Sequence, residues 1–336
     1  MSDGKSGVTI LGIFVADLAF RSGRMPDVGQ TILGSGFKMG PGGKGSNQAV
    51  AAARAGAKVT FISRLGKDEF GASARALWMR EAIATRVSDV ADEPTGAAFI
   101  YVNDRNGENA IIVVPGAAGK IAQTDVEAAS DAIVSARVFM TQLEQPEAAA
   151  RRGLEIAKRS GVITVFNPAP AARIDEALYA YCDFVTPNES EAAELTGVPV
   201  ASLDDARKAG DVLLSKGAGS AIITLGEAGA LLHDHSRSVL VPAFKAGPVV
   251  ETAGAGDAFN GGFAAALARG QEPLDAVRFA CAVPGRVTEM PATARRRRCR
   301  SFSKSKPCWP NLNRWFETCT KNSRAISSPR SATSSP

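Results

Sequence analysis

From residue 137 onward the sequence alternates, with little interruption, between short β-branched apolar runs and longer stretches with helical spacing. "ARVFMTQLE" precedes "EAAARRGLEIAKRSG", "VITVFNPAP" and "CDFVTPNESEAAELTG" follow, and "LDDARKAGDVLLSKG" leads into "SAIITLGEAGALL". Neighbouring strands joined through a helix run parallel, so repeated βα units predict an α/β fold, a parallel sheet with helices on both faces. The N-terminal part keeps the same rhythm. "VTILGIFVADLAF" reads as one buried strand ending near Asp17, and "SNQAVAAARAGA" as a small-residue helix closed by Gly56. "KVTFISRLG" is a further strand, followed by the helical pattern of "DEFGASARALWMREA".

Two segments break this rhythm. Residues 97–115 alternate around a polar Asn/Asp/Gly turn and predict a β-hairpin, with residues about 18–40 as the other half of a small, separate antiparallel sheet. The hydrophobic content of 45% over 336 residues allows a sizeable core, and 33 Gly with only 6% aromatics suit closely packed helices. There is no apolar run of about 18 residues, so no membrane span is expected. "MSDGKSG" passes straight into a strand and predicts no signal peptide. Five Cys without paired spacing point to a reducing compartment, the cytoplasm.

The formal charge of +5 divides unevenly along the chain. Residues 285–336 hold twelve Lys and Arg against two Asp and Glu, which leaves 27 against 32 in the rest. The body is mildly acidic, so the basic pI gives no reason to expect nucleic acid as a partner. After Val283 the apolar period is lost, and this end carries three of five Cys, two of three Trp and nine Ser. That is the composition of disorder or of a shifted reading frame. The expected organisation is therefore a folded domain over 1–283 and an atypical basic tail over 284–336.

Several motifs carry chemistry. "GPGGKG", Gly40 to Gly45, fits G-x-G-x-x-G, yet the first strand lies far upstream of it and "FISRLG" offers no acid for a ribose. A Walker loop fails because Gly follows Lys44. Two readings stay open: a tight turn before a helix, or a backbone-lined pocket for a small polar ligand with Asn47 supplying an amide. In "ETAGAGDAFNGG", Gly254, Ala255 and Gly256 precede an apolar helix, so their N–H groups can form an anion hole. Asp257 in that first turn is a good helix-terminal acid, worth about 0.3–1 kcal/mol. Beside a bound phosphate it would repel, unless it takes a hydroxyl proton as general base while the N–H groups hold the transferring phosphoryl group. Asn188 and Glu191 in "TPNESEAAELTG" suit either a capping box or an outer-shell Mg²⁺ site. Thr224 and Gly226 end a strand in "ITLGEAGA" where a phosphate could approach. His233 and His235 have no partners at metal-ligand spacing and read as surface residues.

In this order, "GPGGKGSNQAVAAARAGA", "TQLEQP", "NPAPA", "TPNESEAAELTG", "ITLGEAGA" and "TAGAGDAFNGGF" resemble the ribokinase family of carbohydrate kinases, over roughly residues 8–283. The resemblance implies a doubly wound, mostly parallel sheet flanked by helices, with a small β-sheet lid that closes the sugar site and pairs two copies into a homodimer. It implies ATP-dependent phosphorylation of a sugar hydroxyl, at O5 for ribose, with Mg²⁺ and an activating K⁺. Asp257 matches the family's base, and Gly254, Ala255 and Gly256 its anion hole. Asp17, Gly43, Lys44, Asn47 and Glu144 match sugar-contacting positions. Asn188 matches the phosphate motif and Glu191 the magnesium motif, Thr224 and Gly226 the nucleotide side, and Glu251 and Ala253 the K⁺ loop. The sequence departs at Val15, where the family usually has Asn, at Glu251, where it has Asp, and after Val283, where its final segments have no counterpart. Another sugar or a nucleoside as acceptor, or a scaffold disabled by its ending, are the alternatives.

Overall fold

The computed structural model describes residues 4–244 and 254–288. The chain opens with β1 (Val8–Leu11), β2 (Val15–Ser22), β3 (Gly36–Gly42), α1 (Lys44–Arg54), β4 (Val59–Gly66), α2 (Glu69–Arg80) and β5 (Ala84–Val90). The hairpin β6 (Thr95–Asn103) and β7 (Asn109–Gly116) follows, then α3 (Gln123–Ala128), α4 (Ser130–Ser135), β8 (Val138–Thr141), α5 (Glu147–Arg159), β9 (Ile163–Phe166) and β10 (Phe184–Val185). The last described elements are α6 (Glu189–Thr196), α7 (Leu203–Ser215), β11 (Ser220–Thr224), β12 (Ala230–Asp234), β13 (Ser238–Val241), α8 (Ala255–Ala268) and α9 (Pro273–Thr288).

Nine strands form the large sheet in the order β13-β12-β11-β10-β9-β8-β1-β4-β5. All neighbours from β11 to β5 are parallel, and β12 and β13 close one edge as antiparallel strands. From β1 the chain first builds outward through β4 and β5, then returns to β8 and builds the other way. Right-handed crossovers in opposite directions place helices on opposite faces, which is the doubly wound arrangement. α1, α2, α8 and α9 pack together on one face; α5 covers β8 and β9, and α7 covers β11 and β12, on the other. Strands covered on both sides read as continuous apolar runs, and Ile10, Phe61, Phe139, Val165 and Ile222 are fully buried.

The small-residue composition has its use between α1 and α8. A Cβ at Gly261 would stand 2.5 Å from the Gln48 carbonyl and 2.6 Å from the Ala51 side chain, so only Gly allows these helices their spacing. Trp78 of α2 fills the neighbouring space with its ring against Phe14 and Phe61, and its indole N–H donates to Ser46 of α1 at 3.0 Å.

Two expectations need correction. "VTILGIFVADLAF" is two strands in different sheets: β1 lies at the centre of the large sheet and β2 in the small one. The run between them, Gly12 to Phe14, is as buried as a strand, which is why apolarity alone does not reveal the break. The Ser46 N–H is donated to the Ile13 carbonyl at 3.2 Å, so this backbone is paired with the start of α1. The small sheet, ordered β3-β2-β6-β7, is mixed: its outer pairs are antiparallel, but β2 and β6 run parallel over Val15–Ser22 and Gly96–Asn103. A parallel pair needs a long crossover, supplied here by everything from β3 to β5.

Pairing register assigns the faces of the small sheet. Asp17, Lys38, Ala98 and Ile100 share one face, of which Ala98 is buried in the main core. Phe20, Phe37, Met39, Ile112 and Val114 share the other and are 43–62% exposed. Phe20 packs on Phe37 and Phe99 at ring-centroid distances of 4.9 and 5.7 Å.

Gly12 packs where a side chain would meet Gly45 Cα at 2.7 Å and Gln142 Oε1 at 2.6 Å. Gly12→Ala is therefore expected to lower the melting temperature by an amount equivalent to about 1–3 kcal/mol, the cost of overpacking a dense site. Thermal unfolding followed by circular dichroism measures it.

Candidate active site

Glu144, Asn188, Thr224 and Gly226 lie at or just past the carboxyl ends of β8, β10 and β11, where open α/β sheets bind their ligands. Gly43, at φ 86°, is the residue before α1, and a Cβ there would stand 2.5 Å from the Ile13 carbonyl. This left-handed turn aims the first turn of α1 at the loop after β8. There the Lys44 N–H is donated to Glu144 Oε2 at 2.7 Å. Asp17, on β2, stands against Gly42, where any Cβ would collide with its carboxylate.

α8 starts from Gly254 in the left-handed conformation, φ 78°. Ala258 is the first residue whose N–H reaches back to Gly254, at 2.9 Å. The N–H groups of Ala255, Gly256 and Asp257 therefore have no acceptor among the described residues, and they carry the positive end of the helix dipole. Asp257 is partly buried and held by two amides of α1: Asn47 Nδ2 donates to Oδ2 at 3.1 Å, and Gln48 Nε2 to Oδ1 at 3.1 Å. On the other side of the cleft, Asn188 and Glu191 form a capping box, with the Glu191 N–H donated to Asn188 Oδ1 at 2.8 Å and the Asn188 N–H to Glu191 Oε2 at 2.9 Å. The capping reading of this pair is thus realised. Thr224 is bridged to Asn188, with its N–H donated to the Pro187 carbonyl at 3.0 Å. Gly226 follows at φ 51° with Glu189 nearby.

Asp17, Glu144, Asp257 and Glu191 interact electrostatically, with Lys44 among them. All four carboxyls are held above their ordinary range, and burial is the leading cause in each. For Asp257, Lys44 and the two amides oppose the shift. For Asp17, the Asp257 charge adds to it. Glu144 is pushed up to about 7, with Asp257 and Asp17 adding to burial and Lys44 opposing it.

Sequence reasoning missed the buried polar chain behind Asp257. Gln48 Nε2 also donates to Asn167 Oδ1 at 3.0 Å, while Gln142 Nε2 donates to Gln48 Oε1 at 2.5 Å. Asn167 Nδ2 donates to the Thr186 carbonyl at 2.8 Å, Thr186 Oγ1 to Asn260 Oδ1 at 2.6 Å, and Asn260 Nδ2 to the Gly256 carbonyl at 3.0 Å. The available signal was amides inside apolar or small-residue runs, "SNQAVAAA" and "AFNGGF", since buried amides need partners. His233 is a second correction. It is buried under Gly210 of α7, with Nε2 against Asp211 at 2.9 Å and Nδ1 against Ser238 at 3.0 Å. Glu251, Ala253 and the tail beyond Thr288 lie outside the described residues.

The Glu144 carboxyl yields a stability prediction. Its folded pKa of about 7 lies above its ordinary 4.5, so the folded chain binds this proton more tightly than the unfolded one. The resulting stabilisation is complete below about pH 4.5 and is lost as pH rises through about 7. Glu144→Gln lacks this dependence. Its stability relative to the unchanged protein should improve between about pH 5 and 8, by up to roughly 3 kcal/mol, read from urea unfolding at each pH.

The family model described as pfkB family carbohydrate kinase matches residues 5–294. A ribokinase of Haemophilus influenzae is 38% identical over 273 residues, covering 81% of this chain and 89% of that protein. A deoxyribokinase of Salmonella typhi is 38% identical over 259 residues, covering 76% and 84%. The structure of Arabidopsis thaliana ribokinase complexed with ribose and ATP superposes with a TM-score of 0.79 at 27% identity, covering 85% of this chain and 93% of that one. With its two-sheet architecture and the cleft between α1, α6 and α8, the chain belongs to the pfkB family of carbohydrate kinases.

Proposed function

We propose that the chain transfers the γ-phosphoryl group of ATP to the C5 hydroxyl of D-ribose, giving D-ribose 5-phosphate. The observation that carries this reading is the Asp257 carboxylate, fixed by Asn47 and Gln48 beside N–H groups at the start of α8 that have no acceptor among the described residues. The relatives named ribokinase support ATP and ribose as the substrate pair. Asp17, Gly43, Lys44, Asn47 and Glu144 position the sugar, and Asn188, Thr224 and Gly226 line the nucleotide side. Asp257 takes the hydroxyl proton while the Gly254–Gly256 anion hole and Lys44 face the charge that develops on the transferring group. The small sheet acts as a lid that keeps water from competing with the sugar.

Mg²⁺ belongs to this reading. Glu191 keeps Oε1 without a partner among the described residues while Oε2 caps the helix. Among those residues no group of three or more His, Cys, Asp or Glu is placed to hold a metal. That donor set suits an ion held through water and nucleotide phosphates, with Glu191 in its outer shell. Bound there, Mg²⁺ would offset phosphate charge. K⁺ activation, with Glu251 and Ala253 as its residues, completes the cofactor set. The cytoplasm, with its ATP, is the compartment this reading proposes. No described helix is long and apolar enough to cross a membrane. The division into a kinase domain over 1–283 and a basic tail over 284–336 is part of the same proposal.

Val15 favours a second acceptor, 2-deoxy-D-ribose. It lies two residues before Asp17 on the same face of β2, is buried, and has no hydrogen-bonding group where the family resemblance implies Asn. We also propose a homodimer through the lid, supported by the exposed apolar face of Phe20, Phe37, Met39, Ile112 and Val114.

With ATP, Mg²⁺ and K⁺, purified protein should release ADP in the presence of D-ribose. Asp257→Asn should lower turnover by about 10²–10⁴-fold while its circular dichroism spectrum stays that of the folded protein; near-normal turnover in that variant sinks the assignment. The same assay with 2-deoxy-D-ribose should give a kcat/KM within roughly tenfold of ribose, the worth of about one hydrogen bond. A preference for ribose of about 10⁴ or more removes the second acceptor. Light scattering should report a dimer that Phe37→Asp converts to a monomer, and an unchanged mass in that variant rejects the lid interface.

A further inference from the structure

The roles above give Gln48 no part beyond its contact with Asp257, and leave out the amides behind it. Gln48 is fully buried in α1, and its side chain is committed three times over: Nε2 donates to Asp257 Oδ1 at 3.1 Å and to Asn167 Oδ1 at 3.0 Å, and Oε1 accepts from Gln142 Nε2 at 2.5 Å. A primary amide has two N–H donors. Here each has its own acceptor, and turning the group over would set Oε1 against two oxygens and Nε2 against the Gln142 donor. The orientation of Gln48 is therefore fixed by its neighbours, and with it the role of Asp257 Oδ1 as an acceptor.

The chain also returns to α8. Asn167 reaches the Thr186 carbonyl, Thr186 reaches Asn260, and Asn260 Nδ2 ends on the Gly256 carbonyl at 3.0 Å. The first turn of α8 is thus gripped at adjacent residues, the Gly256 carbonyl and the Asp257 carboxylate. Every side chain on this path is an amide or an alcohol, with no group that titrates near neutral pH. Among the described residues, a proton taken up by Asp257 has no titratable acceptor along this path. The titratable groups that face Asp257 are Asp17 from β2, Lys44 from α1, Glu144 from the loop after β8 and Glu191 from α6. All lie on the cleft side.

We propose that Gln48 is a positioning residue for the phosphoryl transfer, pinning Asp257 Oδ1 as a hydrogen-bond acceptor so that the carboxylate stays ionised and its free lone pairs face the sugar hydroxyl. This rests on the reading of Asp257 as the base. Hydrogen bonds to a carboxylate favour its charged form, so their loss makes the group harder to ionise in a site already crowded with acids.

The test is a pH titration of the Asp257 side-chain carboxyl by carbon-13 NMR, its resonance assigned by its absence in Asp257→Asn. Gln48→Met keeps the length of the side chain and removes both donors. The Asp257 midpoint should move up by about one unit, and the acid limb of ribose kcat/KM should move up with it. kcat should fall about tenfold or more, while the KM for ribose changes less than about threefold. A merely structural role for Gln48 would move neither the midpoint nor the acid limb, and that result overturns the proposal. In the unchanged protein the Gln48 side-chain nitrogen-15 resonance should titrate with the Asp257 midpoint. A resonance indifferent to that charge also overturns it, whether or not Gln48→Met folds. Both titrations are read without turnover, so absence of kinase activity counts against the functional reading alone.

Discussion

The structure depends on one contact between helices distant in sequence, that of α1 with Asp257 at the head of α8. Two consecutive amides, Asn47 and Gln48, take the two oxygens of that carboxylate. Consecutive residues on a helix point about 100° apart, so both can reach one group only when it lies close to the helix. The Gly261 approach to the α1 backbone supplies that closeness. Packing between two small-residue helices and the placement of a charged group in the cleft are thus one arrangement, and neither can shift without the other.

Charge then decides what the cleft can hold. Four carboxyls share the cleft, Lys44 acts on three of them, Glu144, Glu191 and Asp257, and burial raises all four. Among the described residues, the N–H groups of α8 that lack an acceptor and the Lys44 ammonium are positive features of this cleft. A neutral polyol with one hydroxyl near Asp257 suits such a site. A phosphate suits it only where the helix N-terminus and a divalent ion offset its charge.

Much of this was legible in the sequence, and the failures have physical causes. The βα alternation after residue 137 gave the parallel sheet, because crossover geometry leaves little choice. The hairpin over 97–115 was plain from its polar turn. The β1/β2 break was hidden because burial leaves the same mark on a strand and on a buried turn. The parallel pairing of β2 with β6 was hidden because strand partners far apart in sequence leave no local signal. Asn47 and Asp257 stand out because they sit in Gly-rich motifs, whereas Asp17, Lys44 and Glu144 were singled out only through the family resemblance. Gln48 and Asn260 do not stand out, since each lies inside a run that already has a sufficient explanation as a packed helix. His233 was misread because a lone polar residue on a strand says nothing about its depth until the helix above it is placed.

The break between β1 and β2 has a mechanical consequence. Leu11 belongs to the rigid centre of the large sheet, while Asp17, six residues on, belongs to the small one. The link between them is short, buried and bonded to α1, so the station of Asp17 is set by the large sheet rather than by a loose tether. A ligand that bridged Asp17 and Asp257 would span this junction, and its length would have to match a spacing that the junction sets in advance.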